Sequence, residues 1–246
     1  MVAQMVVEQA YWDEGYSRYA LARVPEADAT RRLVHRLVPR ASDGQTALEL
    51  GCFPGRYLVE LGHLGYRVSG CDTTPRVDTD LAPWLRAQSV AVGALRRGDF
   101  RALPRERYDL VTSFGFVEHF PDYADVFRCH FDFVRPGGLV LVTFPNFRGA
   151  VQRFLHHLLD RDNLDRHVQP AMRLEPYRRV AERLGTVLFA GYYGRFDFWT
   201  DDQRGRNGAV RRQLLRIVHL TRGVWPFVPD ASAWSPYAAI LVRARG

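Results

Sequence analysis

Between residues 45 and 146, short apolar runs alternate with segments whose apolar residues recur at helical spacing. Thr46-Ala47-Leu48, Tyr66–Asp72, Tyr108–Gly115 and Leu139–Pro145 read as strands, with a further one before Gly98. Helices are predicted over Arg56–Leu64, Leu81–Gln88 and Tyr123–Phe133, the second with the weakest pattern. Such alternation demands a parallel sheet with crossover helices. Upstream, Tyr11–Tyr19 heads a helical cap continued by Thr30–Val38, which stops before Pro39. Downstream, Gly149–Asp160 is amphipathic and His-rich, and Glu175–Leu184 is a helix. Thr186–Tyr192 and Pro236–Arg245 read as late strands. The connection 200–235 is long for a hairpin and holds a helix over Ala209–Leu220 and a Trp/Pro-rich segment. The pattern implies a single doubly wound α/β domain over 1–246. Its parts are a cap (1–44), a ligand-binding core (45–146), and insertions with the last strands (147–246).

Composition narrows the field. A chain of 246 residues and 28.2 kDa supports one substantial core. No apolar run approaches the roughly 18 residues that span a bilayer. The N-terminus lacks a basic region followed by an apolar one, so a cytoplasmic protein without a stable membrane anchor is expected. The formal charge is +7, yet all 34 basic side chains counted as Lys or Arg are arginine and are spread along the chain. Dispersed charge does not point to nucleic acid as a partner. The absence of lysine excludes Schiff-base catalysis and a P-loop lysine. Cys52, Cys71 and Cys129 have neither metal-ligand nor disulfide spacing, and no metal is expected.

The most informative stretch is Glu49-Leu50-Gly51-Cys52-Phe53-Pro54-Gly55, a glycine turn between a strand and a helix N-terminus. There a ligand can approach the backbone closely and meet free N–H groups. The next strand ends in Asp72, Gly98-Asp99-Phe100 follows the third, and the fourth runs from Ser113-Phe114 into Glu118-His119. Arg135-Pro136-Gly137-Gly138 turns into the fifth. In this order "LELGCFPGRYL", "SFGFVEHF" and "RPGGLVLVTFPN" resemble the class I S-adenosylmethionine-dependent methyltransferases, in a bacterial small-molecule branch. The likeness covers roughly 47–146 well and the ends more loosely.

The resemblance implies a Rossmann-like, mostly parallel seven-stranded sheet and S-adenosylmethionine as methyl donor, with S-adenosylhomocysteine as product. It implies that Gly51 and Gly55 admit the donor to the backbone, and that Glu49 orients the turn and the methionine amine. Asp72 would hold the ribose hydroxyls, while Asp99 accepts from the adenine amine and Phe100 packs on its ring. Cys52, Phe53, Thr73, Ser113, Phe114 and Tyr11 complete the expected cofactor environment. Phe53 stands where many members have glycine. Asp72 could be a mere helix N-cap before Pro75, a disfavoured reading that is compatible with ligand binding, and a Gly-Asp pair such as Gly98-Asp99 commonly marks a turn.

Methyl transfer is an in-line displacement, so the protein must align the acceptor and exclude water. A base is needed only where the acceptor loses a proton. His119 is the first candidate, set against a capping or packing role, and His167 in "DNLDRH" the second. His156 and His157 could join Asp160 at a metal, but adjacent helical residues do not share a face, so a surface pair is expected. Tyr11 and Trp12 could fold over the sulfonium or the acceptor, or staple the cap to the core.

Three rivals remain. A nicotinamide oxidoreductase would want the third pyrophosphate glycine that Gly51-x-x-x-Gly55 lacks. A base-directed nucleic-acid methyltransferase would want an Asn/Asp-Pro-Pro-Tyr-like string where this chain has Ser113-Phe114-Gly115-Phe116. An idle cofactor-binding scaffold would lose the acids that are present here. The expected acceptor is a small-molecule oxygen or nitrogen, of a natural-product or glycan pathway, and a homodimer is compatible. On Ala209–Val228, Val210, Leu214, Ile217, Val218 and Thr221 form a stripe flanked by Arg211, Arg212, Arg216 and Arg222. This is expected to pack on the substrate side rather than against a membrane.

Overall fold

The computed structural model describes residues 5–7, 9–17, 19–200 and 209–246. Residues 1–4 and 8, part of the N-terminal leader reading, lie outside them, as do 201–208 of the long connection and the side chains of Val210 and Arg222. The seven-stranded sheet has the order β3-β2-β1-β4-β5-β7-β6. Here β1 is Thr46–Leu50, β2 Arg67–Asp72, β3 Val92–Arg97, β4 Tyr108–Phe114, β5 Val134–Pro145, β6 Gly185–Tyr193 and β7 Tyr237–Ala244. The first five strands pair in parallel, and β7 runs antiparallel between β5 and β6. The strand order reverses between β1 and β4, and ligands in such sheets bind outside the strand C-termini at that point.

Alternation along the strands explains the two-sided core. Ala47, Leu110, Leu141 and Ala239 join one cluster; Leu48, Val111, Val140, Val142 and Ile240 join the other. Helices α2 (Ala29–Leu37), α3 (Arg56–His63) and α4 (Ala82–Ala87) cover the first face through Leu33, Leu58 and Leu85. Helices α5 (Tyr123–His130) and α8 (Leu174–Leu184) cover the second through Phe127 and Tyr177. The buried Glu60 ties α2 to α3, accepting from Arg31 at 2.9 Å and lying 2.8 Å from His35.

Several boundaries differ from the sequence pattern. The helix expected over 81–88 is preceded by a wide turn, Val77–Leu81, and regular α geometry starts only at Ala82, with Pro83 in its first turn. The Arg135–Gly138 turn lies inside β5. The partners of β4 jump from Val134 to Leu139, so these four residues bulge out of the ladder, with Gly137 at φ 75°. The helix expected to Phe133 ends at His130, since Phe131 and Asp132 close by backbone bonds to Arg128 and Cys129.

The late insertions form a third, smaller cluster. Helices α6 (Ala150–Leu159) and α9 (Ala209–Leu220) bring Leu155, Leu159, Leu214, Leu215 and Val218 against Phe198 and Trp225. The packed stripe on α9 is therefore Leu214, Leu215 and Val218. Ile217, expected within it, is 52% exposed, because it sits at the edge of that face. No helix among the described residues is long and apolar enough to cross a membrane. Helix α7 (Arg161–Asp165) then leads to His167, and α1 (Gln9–Ser17) is the helix headed by the aromatic N-terminal stretch.

Candidate active site

At the end of β1 the chain turns at Gly51 (φ 69°) and Gly55 (φ 82°), both in the left-handed region. A Cβ at Gly51 would lie 2.3 Å from the Phe116 ring, and one at Gly55 2.3 Å from Leu81. Conformation and space therefore both select glycine. The N–H groups of Gly51 and Cys52 donate to the Cys71 carbonyl at 2.9 and 3.1 Å, fastening the turn to the end of β2. Helix α3 starts at Arg56 with no side-chain cap, and Gly55, Arg56 and Tyr57 line a cavity of about 900 Å³. The size suits a drug-sized or nucleoside ligand.

Five acids line this cavity, and three of them, Glu49, Asp72 and Asp99, lie at or just past the ends of β1, β2 and β3. Glu49 is 3% exposed, and its Oε2 has no hydrogen-bond partner. Burial, with Asp72 adding to it and Arg56 opposing, pushes the Glu49 carboxyl well above the carboxylate range. Such an orphaned acid wants a donor or a cation. Asp72 accepts from the Phe53 N–H at 3.0 Å and the Thr74 N–H at 3.1 Å. It thus closes a local turn rather than capping a helix, since Val77–Leu81 starts later and has no side-chain cap, and it also ties β2 to the glycine corner, leaving lone pairs on both oxygens. Burial raises its pKa and the backbone donors counter that rise. Asp99 caps the short turn Phe100–Ala102 through the Arg101 N–H at 2.9 Å, and Phe100 meets Phe116 edge-on at 5.4 Å. An unsatisfied acid beside a glycine cradle, with two further acids and an aromatic along one cleft, fits an amino-acid tail, a ribose and a base.

The opposite wall is built from the end of β4, the insertion and the cap. The turn Val117–His119 places Glu118 and His119 in the cavity wall, both buried. Glu118 Oε2 and His119 Nδ1 lack hydrogen-bond partners, and His119 Nε2 lies 4.0 Å from Glu118 Oε1. The rings of His119 and His167 are 4.8 Å apart, and Trp12 meets His119 edge-on at 4.8 Å. His167 uses Nδ1 on the Asn163 carbonyl, 2.6 Å away, which leaves Nε2 free of that bond. Burial pushes Glu118 up to about 8, His119 well below the usual imidazole range, and His167 down to about 4. Both imidazoles are therefore neutral at neutral pH. Ligand-type atoms of Glu118, His119 and His167 lie within 4.8 Å of one another, a set that could share a proton or hold a cation. The sequence carried no metal expectation here, because His167 arrives from a distant insertion.

Most expected residues line this one cavity: Glu49, Gly51, Cys52, Phe53, Gly55, Asp72, Thr73, Asp99, Phe100, Phe114, His119 and His167. Ser113 does not. It is fully buried on the other side of β4, with its hydroxyl 2.9 Å from His130 Nε2. Tyr11 is also absent from the lining. The Arg166 guanidinium lies 4.9 Å over its ring, and its neighbour Trp12 faces the cavity instead. Phe53 is buried between Tyr16, at 4.8 Å, and the Arg76 guanidinium, at 5.1 Å, so its ring docks the cap. The expected surface pair His156 and His157 is split. His156 is fully buried 4.0 Å from the Phe147 ring, on the same inner face as Gln152 and Leu159, and His157 is exposed. Burial holds Cys52 and Cys71 in the thiol form, Cys71 at about 12. Sequence reasoning missed Tyr16, Tyr57, Asn163, Arg166, Trp199 and Tyr237, which also line the cavity. Only Tyr16, in the aromatic run, left a signal.

Residues 20–188 match the model of a methyltransferase-domain family. A ubiquinone biosynthesis O-methyltransferase of Methylobacterium sp. (strain 4-46) is 29% identical over 161 residues, 57% of this chain and 60% of that protein. One from Methylocella silvestris is 33% identical over 113 residues, 45% of this chain and 44% of that protein. The chain thus spans less than two thirds of these relatives. Among solved structures, a SAM-dependent methyltransferase of Archaeoglobus fulgidus superposes with TM-score 0.57 at 16% identity, over 96% of this chain and all of that one (100%). The N-methyltransferase NodS of Bradyrhizobium japonicum, in complex with S-adenosyl-L-homocysteine, gives 0.53 at 13%, over 88% of this chain and 86% of that one. With a family model that matches well over half of its length, the chain belongs to the S-adenosylmethionine-dependent methyltransferases.

Proposed function

We propose that the protein methylates an oxygen of a small-molecule acceptor held between the cofactor corner and the His119–His167 wall. The observation that carries this is the pairing, in one cavity, of an unsatisfied acid at the glycine turn with a carboxyl and two neutral imidazoles opposite. The curated relatives named above, called O-methyltransferases, support oxygen over nitrogen.

The bound donor supplies a methyl carbon activated by a positive sulfur. Glu49 would hold the cationic amine of its tail, Asp72 the ribose hydroxyls, and Asp99 with Phe100 the base. A hydroxyl acceptor must shed its proton as it attacks, and neutral His119 can take it. The imidazolium so formed sits 4.0 Å from Glu118 Oε1. An ionised Glu118 at that distance is worth on the order of 4 kcal/mol at an effective dielectric of about 20. His167 flanks the same ring and helps to exclude water with Trp12.

The test is product formation with matched phenol and amine panels as pH is varied. Glu118 is protonated below about 8 and ionised above it. The rate on phenols should therefore rise with pH through about 8, and Glu118→Gln should flatten that step. Faster turnover of the amines, or a pH step that survives in Glu118→Gln, contradicts the assignment.

A further inference from the structure

A second cavity, of about 400 Å³, adjoins the first, and His167 lines both. Its walls carry Arg148, Arg153, Arg161, His157 and Gln169, with Asp165 as the one acid among the described residues. Arg153 and His157 stand at i and i+4 on α6, and Arg161 opens α7 after the break at Asp160 (φ −155°); all three line this recess. Asp165 is engaged with Arg161 at 3.6 Å, in a pair exposed at both ends. Among the described residues, the side chains of Arg148 and Arg153 form no ion pair. Guanidinium groups gathered around one recess repel one another, and an anion that enters relieves that repulsion. Arginine offers such an anion paired, planar N–H donors.

From this arrangement we infer that the recess is an acceptor subsite for an oxyanion, a phosphate or carboxylate carried on the molecule to be methylated. The inference rests on the acceptor reading above, because His167 joins the recess to the reacting wall. An acceptor whose hydroxyl lies against His119 reaches the arginines by extending past His167. Its anionic end fixes the orientation and its neutral end is presented to the donor, a division that serves alignment. Burial keeps His167 neutral, so it parts the two regions without competing for the anion.

An anion could also come from a lipid headgroup, since Val151, Phe154 and Leu158 of α6 and Ile217 and Leu220 of α9 are exposed nearby in the fold. The experiment separates the two sources. Phenyl phosphate is titrated calorimetrically into the full chain saturated with S-adenosylhomocysteine. The titration is repeated on Arg153→Ala/Arg161→Ala and on the charge-matched control Arg105→Ala/Arg128→Ala. All four arginines are exposed, so neither variant threatens the fold. The expected result is binding that weakens about tenfold or more in the first variant and stays within about twofold in the control. Parallel sedimentation uses phosphatidylglycerol vesicles, with phosphatidylcholine as reference. No binding of phenyl phosphate, equal weakening in both variants, or vesicle capture that phenyl phosphate does not displace overturns the subsite. Failure of S-adenosylhomocysteine itself to bind would instead strike at the methyltransfer reading beneath it.

Discussion

Alanine in place of His119 is expected to lower turnover by about 10²–10⁴-fold, the contribution of a positioned general base. Affinity for S-adenosylhomocysteine should hardly change, because His119 stands on the wall opposite Glu49 and Asp72. The ring is buried and touches both Trp12 and His167, so its removal also loosens the contact between cap and insertion. Loss of that packing would cost on the order of 1–3 kcal/mol of stability. His119→Asn separates the effects, since it keeps much of the polar volume without a proton acceptor of comparable strength. Turnover lost in both variants, with thermal unfolding shifted only in the alanine, supports the base. Turnover restored in the asparagine variant assigns His119 to packing.

The second large effect is expected at Asp72. Asp72→Ala should weaken S-adenosylhomocysteine binding by about 1–3 kcal/mol, the worth of charged hydrogen bonds lost from a partly buried site. The structure adds a second reason beyond the ribose hydroxyls. The carboxylate receives the Phe53 and Thr74 N–H groups, so its loss also frees the turn proposed to cradle the donor. Asp72→Asn keeps one oxygen for one of those N–H groups and turns an amide donor towards the other. It should therefore lose much of the affinity too, which a purely charge-based role would not require at high salt. Calorimetry that finds unchanged affinity in Asp72→Ala removes this residue from the site.

The half of the candidate site around the glycine turn was legible because its residues are local. Glu49, Gly51, Gly55, Asp72 and Asp99 sit at strand ends, where short-range turn chemistry writes itself into the sequence. The fold followed from the same alternation, down to the bounds of α9, Ala209–Leu220. Ser113 was misplaced by one step of strand alternation: Phe114 faces the cavity, and its neighbour faces α5. Similarly, Trp12 rather than Tyr11 points inward, a choice that helix periodicity alone does not make for a short, aromatic-rich helix. The acceptor wall was less legible. Tyr237 reaches the cavity from β7, paired antiparallel with Pro145 of β5, and Asn163 and Arg166 come from an insertion with no strand pattern to anchor it. His156 shows the limit most plainly. Its burial depends on Phe147 and Phe198 from two other segments, a contact no local pattern encodes.

We propose the Glu49–Asp72–Asp99 cleft as the donor site of this methyltransferase. Calorimetric titration of the full chain with S-adenosylhomocysteine, beside an identical titration with NADH, tests it most directly. Saturable binding of S-adenosylhomocysteine, lost or strongly weakened in Asp72→Ala and absent with NADH, is the predicted result. Binding of NADH, or no binding of S-adenosylhomocysteine by a protein whose thermal unfolding shows it to be folded, would contradict the account.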